Sequence, residues 1–482
     1  MTGRRTALTA HALEGAGPFP AGTAPTVVGT APTVVDAAVT RPAVRVEQLG
    51  AAALLTGAIA LPLVMNPSAG DVFALPKAML IAVLTVVLVG CLAVLRWRHC
   101  PAACLRSPAV VDVVVVYLTL TVAATIRSPD PLHSVIGEPL QLQGTLASLC
   151  YVVGLLAAGR VLVTEFRIRR LMGAVAAAVS VVVAYGVAQQ ANLDPIWDVL
   201  NRGRIFSTLG QANNLAAYLV IALPLVLGLA FTARTRPPRI VFIVLGGAIV
   251  ATLGLTLSRG GYLGAAATLA TFAILTLRRP ALTLRRPTVT RRRIGAFGMV
   301  AAVVVLLGLT PPVADSAGRI LDRARQVADG ETGSGALHLD LWAVGVRMTV
   351  DHPLLGVGPE MYPAAFSQYR DAVLPAERAA IVARFRPESP HSVPIAIAAG
   401  AGVPALAAYL TVIGLALVAG LRRWRRAAPR DRILVAGLIA AVIGHLVTDL
   451  FMTAEVSTSW LFWVLLGTLA TVPRLSSPTA RA

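Results

Sequence analysis

Apolar stretches of about 20 residues recur along the chain with short polar turns between them, the length needed for a helix to cross roughly 30 Å of hydrocarbon. Spans are predicted at Leu49 to Met65, Leu75 to Leu95, Ala109 to Ile126, Leu140 to Val163, Ile168 to Ala191, Asn213 to Phe231, Ile240 to Leu257, Gly260 to Leu277, Ile294 to Thr310, His391 to Leu421, Ile433 to Leu450 and Ser457 to Val472. Backbone polar groups inside a bilayer must be satisfied within their own segment, which favours helices. The expected fold is therefore an all-α polytopic membrane protein with about 12 transmembrane helices.

The pattern breaks in two places. Residues 1–45 are rich in Ala, Pro, Thr and Gly and repeat GTAPTVV at Gly22 to Val28 and Gly29 to Val35, which predicts a disordered tail because little apolar surface can be buried. Residues 311–390 form one long polar excursion between residues 46–310, with nine of the helices, and residues 391–473, with the last three; residues 474–482 make a short second tail. Within the excursion, Asp340 to Met348 predicts a short amphipathic helix bearing Trp342, Gly356-Val-Gly358-Pro359 a turn, and Tyr362 to Arg370 a second helix. An ordered loop of that length above a membrane points to function.

Composition agrees with the pattern: 56% of the residues are hydrophobic and 13% charged. The net charge of +19 comes from arginines clustered in alternate loops: residues 96–106, 167–170 and 234–239, seven arginines from Arg278 to Arg293 and six from Arg422 to Arg432. Basic loops are retained in the cytoplasm. The expected protein is thus multi-pass in the cytoplasmic (inner) membrane, with both termini inside and the 311–390 loop outside. With few aromatic residues among the arginine clusters, nucleic acid is not an expected partner. Cys91 and Cys150 fall inside apolar runs, and Cys100 and Cys104 lack the second ligand pair of a zinc site, so no metal or cofactor is expected. Lys77 is the only lysine; with the Ala, Gly and Pro richness it looks like a coding bias.

Cations on the outer side run against the charge rule and need a reason. Arg204 precedes the helix that begins near Asn213, and Arg259 sits between two apolar helices. A guanidinium beside a helix N-terminus can bind an anion through its fork and the free backbone N–H groups, or it can pin the helix end at the lipid headgroups. His391, after Glu388-Ser389-Pro390, has the side chain best suited to exchanging a proton near neutrality, though a helix-start histidine also serves as a cap or polar anchor. His445 and Asp449 share one helix face, either as a functional or as a mutually satisfied pair. No paired-carboxylate, Ser-His-Asp or P-loop pattern stands out.

At these residues the sequence resembles the O-antigen ligase family, whose broader group includes O-antigen polymerases and some protein O-oligosaccharyltransferases. The resemblance runs from about Leu75 through Leu469 and rests on four blocks: RIFSTLGQANNLAAYL from Arg204 to Leu219; LSRGG around Arg259; Leu341-Trp342 through His352-Pro-Leu-Leu-Gly356-Val-Gly358; and His391 opening a Gly-containing helix. The chain departs from the family's usual residues at Ser207 (usually Gly), Ala212 (Pro), His338 (Arg), Ser392 (Asn) and Gly400 (Glu).

The resemblance implies a GT-C type glycosyltransferase bundle with a large ordered extracytoplasmic loop. It implies a polyprenyl-diphosphate-linked glycan donor, a glycan or glycolipid acceptor with a hydroxyl nucleophile, and inverting, metal-independent transfer. Arg204 and Arg259 are then expected to hold the diphosphate and His391 to act as the base, with Gln211, Asn213, Trp342 and His338 as further candidates for substrate contact. A polymerase differs from a ligase in its acceptor. A transporter is the rival class, against which most spans read as uninterrupted; an inactive scaffold would leave the three residues dispensable.

Overall fold

The computed structural model describes residues 34–97, 108–139, 141–194, 196, 204–277, 334–384 and 387–471. It is all-helical, with no strand among these residues. The helices are α1 (Val34–Ala60), α2 (Ala74–Trp97), α3 (Pro108–Arg127), α4 (Pro131–Ile136), α5 (Thr145–Val161), α6 (Glu165–Gln190), α7 (Ala212–Thr232), α8 (Arg236–Leu255), α9 (Arg259–Leu277), α10 (Ser334–Asp351), α11 (Tyr362–Val373), α12 (Ala376–Ala383), α13 (Val393–Arg426), α14 (Pro429–Asp449) and α15 (Val456–Ala470). Eight are long and apolar enough to cross a membrane, and α5 and α15 are shorter apolar helices.

Eleven of the twelve predicted spans coincide with described helices; the ninth, residues 294–310, lies outside the described residues, as do 1–33, 311–333 and 472–482. Helix α1 opens at Val34, inside the stretch assigned to the tail, and runs through Pro42. Short helix α4 was not anticipated. Asp130 caps it, accepting from the His133 N–H at 3.0 Å, and Pro131 sets its first turn.

Helix α7 is the centre of the bundle, with Leu215, Ala216 and Leu219 to Leu223 fully buried. Helix α14 packs on α7 and α9, α15 on α5, and α13 on α3. Peripheral α2 turns apolar side chains outward, Val86 at 73% exposure among them, as a lipid-facing helix does.

The two ends of the bundle differ. At one end Glu47 takes Arg160 and Arg167 at 3.0 and 3.2 Å, Arg169 reaches Thr232 Oγ1 at 3.0 Å, and Arg430 donates to the Thr232 carbonyl at 2.8 Å. Among the described residues, the arginine-bearing turns before α6 and before α14 thus meet on one side. Arg204, Arg259 and His391 stand at the opposite helix ends.

Helix α13 was expected to be continuous from His391, but it starts at Val393 and breaks at Gly402, where φ is 87° and ψ 168°. The Pro353–Gly358 segment enters the break. Val357 and Gly358 N–H donate to the Ala399 and Gly400 carbonyls at 2.8 and 3.0 Å, and Val403 N–H donates to the Pro353 carbonyl at 2.8 Å. Gly356 (φ 63°) and Gly402 lie so close to the facing backbone that a Cβ at either would overlap a carbonyl group. The loop is therefore bonded into the membrane bundle, and α10 rests on α13, with Leu341, Val344, Met348 and Tyr362 sharing a small core with Ala399.

Candidate active site

Four short segments meet at the end of the bundle opposite the arginine-rich turns. The first carries Arg204. Its Nε donates to the Thr256 carbonyl and its Nη2 to Asn213 Oδ1, both at 2.8 Å, tying the segment before α7 to the end of α8. Ser207 has φ 51°, a conformation that suits glycine, which accounts for glycine being the family's usual residue there. Its backbone N–H and hydroxyl are held by Gln189 Oε1 and the Val182 carbonyl, each at 2.7 Å. Gln211 is exposed at the N-cap of α7.

The second segment is the turn between α8 and α9. Leu257 has φ 51°, and Ser258 Oγ accepts from the Gly261 N–H at 3.3 Å, closing the first turn of α9 and leaving Arg259 as its first residue. Arg204 and Arg259 are joined through this turn, because the Arg204 guanidinium bonds Thr256, three residues before Arg259.

The third is the connection between α14 and α15, residues 450–455. A Cβ at Gly260 would lie 3.1 Å from Phe451 Cβ, so the connection passes directly beside Arg259. Phe451 packs on Trp342, ring centroids 5.8 Å apart, and Thr453 Oγ1 lies 2.9 Å from His391 Nδ1. Its end is fixed by Glu455, which caps α15 by accepting from the Thr458 N–H at 2.9 Å and pairs with buried Lys77 at 3.1 Å. Burial raises the Glu455 carboxyl, but the Lys77 ammonium and the bonds from Ser457 and Thr458 outweigh it and hold it below its ordinary value.

The fourth segment carries His391, itself at φ 50°. Ser389 Oγ accepts from the His391 N–H at 3.2 Å and lies 2.7 Å from Thr453 Oγ1. The His338 ring stands 5.5 Å from the His391 ring. Burial, then the His338 charge, lowers the His391 imidazole below 6.5, while Glu388 works the other way. It is thus largely neutral at pH 7.

The structure brings Arg204, Asn213, Arg259, Trp342, His338 and His391 to one end of the bundle through these contacts. At Gly400, where the family usually has Glu, a Cβ would stand 3.1 Å from the Gly358 carbonyl oxygen and 3.2 Å from Pro359 Cα, so a side chain would need the facing turn to give by a few tenths of an ångström. Sequence reasoning missed Thr453, Ser389, Glu455 and Lys77. The one available signal was the solitary lysine, set aside as compositional, at the start of a span on the arginine-poor side. His445 and Asp449 do pair, Nε2 to Oδ1 at 3.4 Å, deep in the bundle. No group of three or more metal-ligating side chains occurs among the described residues.

No curated protein matches the chain. Residues 244–410 match the family described as O-antigen ligase, a stretch that contains Arg259, His338, Trp342 and His391 but begins after Arg204. Over that stretch the chain carries an O-antigen ligase family domain, which supports placing it among the membrane glycosyltransferases of the ligase and polymerase group.

Proposed function

We propose that the chain transfers a glycan from a polyprenyl-diphosphate donor to a hydroxyl acceptor on the outer face of the cytoplasmic membrane. The observation that carries this reading is the joining of Arg259 to His391 through one connection, residues 451–453. An anion site and a base then lie on either side of a single reaction centre. Arg204 and Arg259, at the approaches to two helix N-termini, hold the diphosphate and stabilise the charge that grows on it as the anomeric C–O bond breaks.

The acceptor oxygen attacks the anomeric carbon from the opposite side, forming the new glycosidic bond with inversion. Its proton passes to His391, and polyprenyl diphosphate leaves. The base role takes one of the two tautomers that the hydroxyls can accommodate. With Nδ1–H donating to Thr453 and Thr453 donating to Ser389, whose oxygen also accepts from the His391 N–H, Nε2 keeps its lone pair for the acceptor. Trp342 and α10 cover the centre from above.

Transfer from purified polyprenyl-diphosphate glycan, measured alongside donor binding, tests the assignment. His391→Ala should retain donor binding while transfer falls about a hundred- to ten-thousand-fold. Arg259→Lys should impair transfer nearly as much as Arg259→Ala, because an ammonium loses the bidentate fork. Unchanged transfer by His391→Ala removes the base role, and a fully active Arg259→Lys reduces that arginine to an interface anchor.

A further inference from the structure

A half-open cleft runs between α3, α5, α13, α14 and α15, beside the Ser389–Ser392 turn. Its deep part is aromatic. Tyr117, Tyr409 and Trp463 meet there with ring centroids 5.7 to 6.2 Å apart, and Tyr117 lies ten residues, about 15 Å of helix, from the α3 end at Arg127. Asp449 and His445 line its wall, and Glu360 lines it where the Gly358–Glu360 turn crosses α13.

Glu360 is the most informative of these residues. It holds φ 59°, which side-chain-bearing residues rarely adopt, and its Oε2 is buried with no hydrogen-bond partner. A strained residue in the cleft wall whose carboxyl keeps one oxygen unsatisfied offers a ligand donor an acceptor once the side chain turns toward the cleft. Burial raises its carboxyl to about 7; the Glu138 N–H opposes this and the Glu138 carboxylate adds to it.

The lining selects among occupants. A prenyl chain would leave the Glu360 carboxyl against hydrocarbon with an oxygen unpaired, and would lay apolar surface on the Asp449–His445 pair. A phosphate or uronate would meet two carboxyl groups and neither Arg204 nor Arg259, which are absent from the lining. A neutral sugar ring fits both surfaces, its C–H face on the tyrosine and tryptophan rings and its hydroxyls donating to the carboxyl groups. Ser389, Ser392 and Thr453, the neighbours of His391, line the cleft, so its occupant lies beside the His391 turn rather than at Arg204 and Arg259.

We infer that this cleft is a subsite for a neutral sugar ring of the acceptor, held by Glu360 and the Asp449–His445 pair above a floor of Tyr117, Tyr409 and Trp463. The inference rests on the transferase reading and adds the class of acceptor that His391 serves. The test uses the full chain in lipid nanodiscs and the methyl glycosides of glucose, galactose, mannose and N-acetylglucosamine. Methyl glucuronide is the anionic control, and binding is read by saturation-transfer NMR.

At least one neutral glycoside should bind and the glucuronide should not. Glu360→Gln should weaken that binding about tenfold. Ala396→Trp, which fills the cleft, should abolish it while polyprenyl diphosphate still binds. Should Ala396→Trp lose polyprenyl diphosphate binding and so prove misfolded, Tyr409→Leu reads the same site and should weaken the glycoside. Binding of none of the four, binding that survives Ala396→Trp or both Glu360→Gln and Tyr409→Leu, or glucuronide binding as well as the neutral sugars overturns the subsite. The transferase reading fails separately, if polyprenyl diphosphate binding is indifferent to Arg259→Ala.

Discussion

At the scale of residues, the site is defined by what surrounds His391. Burial and His338 lower its pKa and Glu388 raises it, so the neutral, proton-accepting form persists to a pH below 6.5. Transfer is therefore expected to be level near neutrality and to fall as pH drops through that lowered value. Removing the opposing influences moves the fall in opposite directions: His338→Gln should shift it to higher pH and Glu388→Gln to lower pH, as measured by initial transfer rate between pH 5 and 8. A shift in the same direction for both would show that another group controls the profile. The placement of Arg204, Arg259 and His391 at one end of the bundle was legible in the sequence because cations and an imidazole are rare at arginine-poor helix ends. Thr453 and Glu360 were not, since a threonine or glutamate in an outer loop means nothing until folding sets one 2.9 Å from an imidazole and leaves the other with an unpaired oxygen.

At the scale of elements, hydropathy located the helices well, because a span's length and apolar run are local properties. The break in α13 was hidden: Gly400 and Gly402 look tolerable within a helix, and only the approach of Pro353–Gly358 gives the freed carbonyls a partner. The link between α2 and α15 was equally invisible, resting on an ion pair across 378 positions of sequence, Lys77 to Glu455. Breaking a buried pair from one side leaves an uncompensated charge. Lys77→Met should cost about 3–5 kcal/mol, and Lys77→Met with Glu455→Gln should recover most of that loss. The check is thermal unfolding in detergent. A double variant no more stable than Lys77→Met would mean that the lysine contributes packing rather than charge compensation.

At the scale of the whole molecule, the gathering of basic turns at one end supports a cytoplasmic assignment for that end, from which α10 to α12 are expected outside. In a background lacking the four native cysteines, Ser367→Cys should label in intact cells with a membrane-impermeant thiol reagent, and Ala428→Cys only after permeabilisation. The reverse pattern would invert the topology and remove the transferase from the outer face. The broken helix bears on biogenesis. A segment delivered to lipid as an isolated α13 would expose the Ala399 and Gly400 carbonyls and the Val403 N–H, each costing several kcal/mol in hydrocarbon. The strand of chain that satisfies them is synthesised about 45 residues earlier and must already be on the far side of the bilayer when they arrive. Insertion of the third-last span is thereby coupled to translocation of the loop before it, so a chain whose loop is delayed or cleaved would stall with that helix unable to leave the insertion machinery.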